Sequence, residues 1–170
     1  QDLNLTISPK ETITRHFTLD LHPETPATIL FGQSISKVWL QTGLDIKSGI
    51  DGSDKDSLAI HPSETQLAVL ELVEKSGYSL YKIDIEDGGV RGDGFQSNLP
   101  CYQEYEFKPN SGSLFGAREL EVTFVDNGAE TGVLIEVDRA FLGDGYRSIS
   151  IPNHCVTVDD VRPYVEQLLD

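Results

Sequence analysis

Positive charge is scarce in this sequence. Lys and Arg together number 13 against 28 Asp and Glu, and the formal net charge is -15. Such a surface repels nucleic-acid phosphates and anionic lipid head groups, so both classes of partner are disfavoured. A protein partner with a basic surface, or no partner at all, is favoured instead.

Cysteine is also rare. Two cysteines, Cys101 and Cys155, are too few for a disulfide framework. They can form one disulfide bridge or remain as two thiols. No zinc-type spacing occurs, and the neighbours His154 and Cys155 would point to opposite faces of an extended segment. Two thiols in a reducing compartment are favoured, so we expect a cytoplasmic protein.

Long apolar runs are missing as well. None approaches the roughly 20 residues of a membrane-spanning helix, so no membrane span is expected. Apolar residues make up 38% of the 170 residues and charged residues 24%, as in soluble globular proteins. This length is sufficient to bury a core without disulfides or metals, as one domain or two small ones.

Sequence motifs of catalysis and metal binding are absent. The stretch DGSDKD at 51–56 suggests a calcium loop, but an EF-hand that starts at Asp51 would have Lys55 at its fifth position and Pro62 at its twelfth. A turn explains these letters better. Neither GxSxG nor HExxH occurs. We therefore expect no catalytic residue, no metal ligand and no cofactor.

Two pairs of glutamates could suggest acid and base groups. Glu104 and Glu106 form one pair, and Glu119 and Glu121 form the other, each on one face of a predicted strand. Glycosidase-type catalysis needs two carboxylates across a cleft. Two glutamates on one exposed face are more simply the wet side of a sheet.

Alternation of apolar and polar residues predicts β-strands along most of the chain. The strands are predicted at about 2–7, 11–21, 37–46, 57–60, 80–86, 103–108, 119–126, 132–138 and 148–151. The glycine-rich DGGVRGDG at 87–94 follows a strand without opening a helix, so a mobile loop is predicted there.

Two amphipathic helices are predicted among the strands. The first spans about 63–76, with Ser63 and Gln66 as a capping box and Gly77 as its C-terminal stop. The second spans about 159–169, from apolar residues spaced by three and four. Many short strands with two helices predict a mainly β fold, a β-sandwich with helical additions.

Several long motifs resemble those of the bacterial sporulation-control protein family SpoOM. They are KVWLQTGLDIKSGIDGSDKD at 37–56, LPCYQEYEFKPNSGSLFGARELEV at 99–122 and LIEVDRAFLGDG at 134–145, with support from RHFTLDLHPETPAT at 15–28 and VLELVEKSGYSLYKIDIED at 69–87. Together they cover about residues 12 to 145. The first two motifs are long and specific.

The resemblance implies an arrestin-like tandem β-sandwich with one internal helix and a C-terminal helix. Residues 1–50 would be the C-terminal part of a first lobe, 51–56 a connector, and 57–170 a second lobe with both helices. Lobes of this kind bind other proteins and carry no enzyme activity. The family is linked with control of sporulation, but it also has members in bacteria that form no spores, so that role need not transfer.

The first lobe is incomplete by this comparison, because the strands normally upstream of RHFTLDL are missing. A few strands with one hydrophobic face cannot close a sandwich, and their edges invite pairing. We expect either that Gln1 is not the biological start or that the open edge pairs with another copy in a homo-oligomer.

The sequence thus favours a non-catalytic regulatory or scaffold protein that acts through protein–protein interaction. Candidate partner contacts are Phe95, Tyr102 and Phe115, aromatic residues in or beside loops, although core packing is the simpler explanation of each. The alternative is a small-ligand-binding module or weak hydrolase that uses an acidic cleft between the lobes.

Overall fold

The computed structural model describes residues 6–110, 117–139 and 145–169. The expected mainly β fold with an internal and a C-terminal helix is confirmed. In chain order the elements are β1 (Ile29–Leu30), β2 (Gln33–Ser34), β3 (Trp39–Leu44), β4 (Gly52–Ser57), α1 (Glu64–Lys75), β5 (Tyr78–Asp87), β6 (Arg91–Gly92), β7 (Phe95–Gln96), β8 (Cys101–Pro109), β9 (Ala117–Asn127), β10 (Glu130–Arg139), β11 (Gly145–Pro152) and α2 (Val158–Leu169).

A five-stranded antiparallel sheet is the centre of the structure, with spatial order β11-β10-β9-β8-β5. Helices α1 and α2 pack against each other and cover one face of it. The main core lies between these two layers, because alternate residues of every strand point toward the helices. Its largest fully buried side chains include Phe107, Leu120, Ile135, Ile151 and, from α1, Leu70 and Leu72.

Helix α1 begins at the capping box that the sequence predicts. The Ser63 hydroxyl accepts a hydrogen bond from the Gln66 N–H at 3.2 Å, and the Ser63 N–H donates to Gln66 Oε1 at 2.9 Å. Gly77 follows the helix at a φ of +95°, a left-handed conformation that glycine adopts without a steric penalty. Local signals therefore define both ends of α1.

Helix α2 contains a proline in its interior. Thr157 caps the helix: its carbonyl accepts from the Val161 N–H at 3.1 Å, and Asp160 Oδ2 accepts from the Thr157 N–H at 3.0 Å. Pro163 has no N–H, so the intrahelical hydrogen bond from residue 163 to the Asp159 carbonyl cannot form. Val161, Val165 and Leu168 are buried against the sheet.

The strand predicted at 11–21 is wrong. These residues are irregular, and the apolar side chains of Phe17, Leu19 and Leu21 are exposed, with Phe17 at 69%, while Ile13 is half-buried. Alternation predicts a strand only where a neighbour supplies hydrogen bonds, and no described strand pairs with this segment. Residues 6 and 7 are also irregular, whereas 1–5 lie outside the described residues. The strand expected at 57–60 is wrong beyond Ser57.

The turn predicted at 51–56 is also wrong, because Gly52–Ser57 forms β4 and pairs with β3. The turn of this hairpin precedes it, where Asp51 Oδ1 accepts from the Ile46 N–H at 2.9 Å and Ser48 has a φ of +62°. Aspartate thus acts here through a local hydrogen bond, as its turn preference implies. The division of the chain into two lobes with a connector stays a prediction.

The mobile loop predicted at 87–94 is instead part of a packed hairpin, β6–β7, on the sheet face opposite the helices. Phe95 is buried there with Val90 and Val125. Its ring lies over Gly132 of β10, where a Cβ atom would stand 2.7 Å from the ring. Only glycine leaves room for this contact, so Gly132 fixes the position of the hairpin.

Side-chain hydrogen bonds attach the irregular segment 22–28 to β8 and to the loop that precedes it. Gln103 Nε2 donates to the Ala27 carbonyl at 3.1 Å, and Gln103 Oε1 accepts from the Ala27 N–H at 2.9 Å. The Glu24 carboxylate accepts from the backbone N–H groups of Asn98 and Leu99 at 2.7 and 3.2 Å.

No helix in the described part of the chain is long and apolar enough to cross a bilayer.

Candidate functional site: the carboxylate face

The sheet face opposite the helices is lined with carboxylates. Residues directly opposite each other on paired strands project from the same face. One such row crosses all five strands and consists of Lys82, Glu106, Glu121, Glu136 and Tyr146. By the same alternation, further acidic residues of this face are Asp84, Glu86, Glu104, Glu119 and Asp138. We call this surface the carboxylate face.

Glu106 is the most buried carboxylate of the face, with 8% of its surface exposed. Its Oε1 lies 3.0 Å from Lys82 Nζ, which also forms an ion pair with Asp84. The hydrogen bonds to Asp84 and then to Glu106 raise the pKa of Lys82, so its ammonium group stays charged. This one lysine therefore bridges two carboxylates on neighbouring strands.

Among the side chains that the structure describes, none forms a comparable ion pair with Glu104, Glu119, Glu121 or Glu136. Lys108 of β8 projects from this face as well, where it lies over the Tyr81 ring and near Glu119. Burial, followed by the charges of Glu104 and Glu136, raises the pKa of Glu121 to about 7. The carboxylate face consequently retains protons under conditions in which exposed glutamates have lost them.

Two other carboxyls shift in the same direction. Burial raises the pKa of Glu104, and the charges of Glu86 and Glu136 add to this effect. Burial, followed by a hydrogen bond with Glu106, raises the pKa of Glu119. Both shifts favour the protonated form of the carboxyl group, as does the shift of Glu121.

The sequence correctly predicts that Glu104 and Glu106 share a face, and that Glu119 and Glu121 share one. Describing them as the wet side of a sheet is wrong for Glu106, which is buried. The sequence also does not show that both pairs lie side by side. That arrangement depends on the register of β8 against β9, which sets Glu106 opposite Glu121.

The predicted partner contacts lie in different surroundings. Phe95 is 6% exposed beneath the β6–β7 hairpin, so a partner would reach its ring only after the hairpin had moved. Tyr102 is half-buried on the carboxylate face, and burial followed by the charges of Glu104 and Glu86 raises its pKa. Phe115 lies outside the described residues. A contact role for all three stays a prediction.

A separate cavity of about 310 Å³ lies between the 21–27 segment, the start of α1 and the ends of β8 and β9. This volume is near the lower limit for small-molecule pockets. Its polar lining includes His22, His61, Cys101 and Asp126, while Gln103 is already bonded to the 21–27 segment. Within 6–110, 117–139 and 145–169, no group of three or more His, Cys, Asp or Glu is arranged to hold a metal ion.

Comparison with known proteins identifies relatives of most of this chain. The family model described as "SpoOM protein" matches residues 2–141. The sporulation-control protein spo0M of Bacillus subtilis (strain 168) is 35% identical over 141 residues, which are 82% of this chain and 52% of that protein. The chain thus spans about half the length of this curated relative.

A solved structure shows the same similarity in three dimensions. The crystal structure of Spo0M, sporulation control protein, from Bacillus subtilis superposes with a TM-score of 0.72 at 29% identity. The match covers 91% of this chain and 65% of the chain in the crystal. Sequence and structure therefore lead to the same group of proteins.

Proposed function

Because the chain belongs to the SpoOM protein family, we propose that it is a non-catalytic regulatory protein that acts by binding another protein, with the carboxylate face as the contact surface. The relative of known name is a sporulation-control protein, which is the name of a regulator. A role in the control of sporulation or of a related process is part of this proposal.

The single observation that supports the carboxylate face as the contact surface is its binding of a lysine from the same chain. The Lys82 ammonium lies between Asp84 and Glu106, so the spacing of neighbouring strands suits one cation between two carboxylates. Charge-assisted hydrogen bonds of this kind are stronger than neutral ones. Glu121 and Glu136 lie directly opposite each other on β9 and β10, so they are nearer to each other than the diagonal neighbours Asp84 and Glu106 and offer a second pair of carboxylates to a cation.

The partner that this surface suits carries lysine or arginine along an exposed segment. Each cation could pair with carboxylates of adjacent strands, and the ring of Tyr102 at the end of the face could stack on one of them. A net charge of -15 would also accelerate the encounter with a basic partner. Both effects weaken as salt increases.

Affinity capture with matched variants tests this proposal. The face variant Glu104→Gln/Glu121→Gln/Glu136→Gln removes three carboxylates from the surface. The control Glu64→Gln/Glu71→Gln/Glu74→Gln removes the same charge from exposed positions of α1. We expect a protein that is captured by the native chain and by the helix control but not by the face variant. Equal capture by all three would overturn the assignment of the surface.

A small-ligand-binding module is the second candidate, and the cavity beside the 21–27 segment favours it. A ligand there would contact Tyr105 and Phe124, whose rings meet edge to face at 5.6 Å, and the carboxylate of Asp126. Native mass spectrometry separates the two candidates. A reproducible added mass on the purified 18.8 kDa chain would favour the ligand module, and the unmodified mass alone would favour the protein-binding function.

A further inference from the structure

We propose that the carboxylate face is a proton-sensitive element of the fold, in which uptake of protons near neutral pH stabilises the sheet and weakens binding to a cationic partner. The stabilising effect follows from the sheet alone. The effect on binding rests on the proposed function. Separate measurements of stability and of binding distinguish the two effects.

The geometry places Glu121 between like charges on both sides. Glu106 is its direct partner on β8, and Glu136 is its direct partner on β10. Directly paired residues have Cβ atoms about 5 Å apart, and like charges at this distance destabilise a sheet. The Lys82 ammonium is bound to Asp84 and Glu106, so it does not bridge Glu121 and Glu136.

Each strand of the five-stranded sheet contributes titratable or charged groups to the surroundings of Glu121. They are Lys82, Asp84 and Glu86 from β5, Tyr102, Glu104, Glu106 and Lys108 from β8, Glu119 from β9, Glu136 and Asp138 from β10, and Tyr146 from β11. The β6–β7 hairpin adds Arg91 and Asp93 next to β10 and β11. Helices α1 and α2 lie on the other face, across the core.

The direction of the pH effect follows from the raised pKa of Glu121. Its pKa rises from an ordinary value of 4.5 to about 7 in the folded protein. Between these values the folded chain binds more protons than the unfolded chain, so stability falls as the pH increases. Glu104 and Glu119 act in the same direction.

Thermal unfolding between about pH 5.5 and about pH 8 tests the stabilising effect. We expect the Tm of the native chain to fall across this interval, and that of Glu121→Gln to fall less and to exceed the native Tm at the upper pH. The exposed control Glu74→Gln should keep the native slope. A native Tm that rises with pH across the interval would overturn the proposal.

A carboxyl ¹³C NMR titration of Glu121 in the native chain is independent of any variant's folding. The expected midpoint is near pH 7. A midpoint near the ordinary glutamate value would overturn the proposal. Titration in Glu136→Gln provides a second measurement, because removal of this neighbouring charge should lower the midpoint.

Binding of a synthetic octalysine peptide at low salt tests the effect on the partner. If binding requires the deprotonated Glu121, affinity should be about tenfold greater at about pH 8 than at about pH 6. Equal affinity at both values would overturn the proton-sensitive binding and leave the proposed function intact. No binding at either value would overturn the cationic partner and leave the Tm and NMR tests of the sheet unaffected.

Discussion

Lys82 and Glu106 form an ion pair across β5 and β8 at 3.0 Å, with the lysine partly exposed and the glutamate 8% exposed. The pair lies at one end of a row in which Glu121 and Glu136 follow on the next strands. The lysine thus neutralises part of the negative charge at one edge of the carboxylate face. Its loss would leave a buried carboxylate without its cation.

Replacement of this lysine should destabilise the sheet in a pH-dependent way. In Lys82→Gln we expect a lower Tm at about pH 8 and a smaller loss at about pH 5.5, because Glu121, the direct neighbour of Glu106, carries less negative charge below its pKa of about 7. Calorimetry on both chains measures the difference. Lys75→Gln is the control, since Lys75 pairs with Glu71 in an exposed position on α1. A loss in Lys82→Gln that is independent of pH would contradict this explanation.

Removal of the α1 cap should lower the free energy of unfolding moderately. Ser63→Ala deletes the hydroxyl that accepts the Gln66 N–H, and loss of such a cap costs about 1 kcal/mol of unfolding free energy. Urea denaturation of native and variant chains measures it. Ser53→Ala in β4 changes an exposed serine and should leave the midpoint unchanged. Equal midpoints for Ser63→Ala and the native chain would contradict the role of the cap.

The contact between Phe95 and Gly132 gives a prediction about packing. A Cβ atom at residue 132 would stand 2.7 Å from the Phe95 ring, so Gly132→Ala should cost about 1–3 kcal/mol through overpacking. Gly43→Ala is the control, because no atom lies within 4 Å of a Cβ there. Chemical denaturation of both variants provides the comparison.

A second variant separates this clash from a general weakness of β10. If the clash is the cause, Gly132→Ala should cost less in a Phe95→Ala background than in the native chain, because the smaller side chain vacates the space. Equal costs in both backgrounds would show that the Phe95 ring is not responsible.

The paired hydrogen bonds between Gln103 and Ala27 predict how the 22–28 segment is held. Gln103→Met keeps the approximate size of the side chain but removes both bonds, so we expect faster amide exchange at Ala27 and faster proteolysis within this segment. Gln96→Met changes an exposed glutamine of β7 and serves as control. Unchanged exchange at Ala27 in Gln103→Met would contradict the role of these bonds.

The sequence predicts those elements whose signals are local. The Ser63 and Gln66 capping box defines the start of α1, and apolar alternation places the five strands of the central sheet to within a few residues. The 11–21 segment shows the limit, because its alternation is strand-like although no described strand pairs with it. The local sequence shows the alternation that is typical of a strand, but it does not show which other strand would form hydrogen bonds with it.

The carboxylate face could be predicted only in part. The sequence places Glu104 and Glu106 on one face, but it does not state that β9 lies next to β8 in the register that sets Glu121 opposite Glu106. Burial of Phe95 likewise depends on a distant residue, Gly132. Both features arise from contacts between segments far apart in sequence, which periodicity within one segment does not reveal.

The most direct test of the carboxylate face is a map of amide chemical-shift changes on adding octalysine to the ¹⁵N-labelled chain at about pH 8 and low salt. We expect the largest changes on β8, β9 and β10, around Glu104, Glu121 and Glu136, and their loss in the triple glutamine variant of these residues. Changes that are concentrated instead on the exposed acidic residues of α1 or α2, or that persist in that variant, would contradict the account.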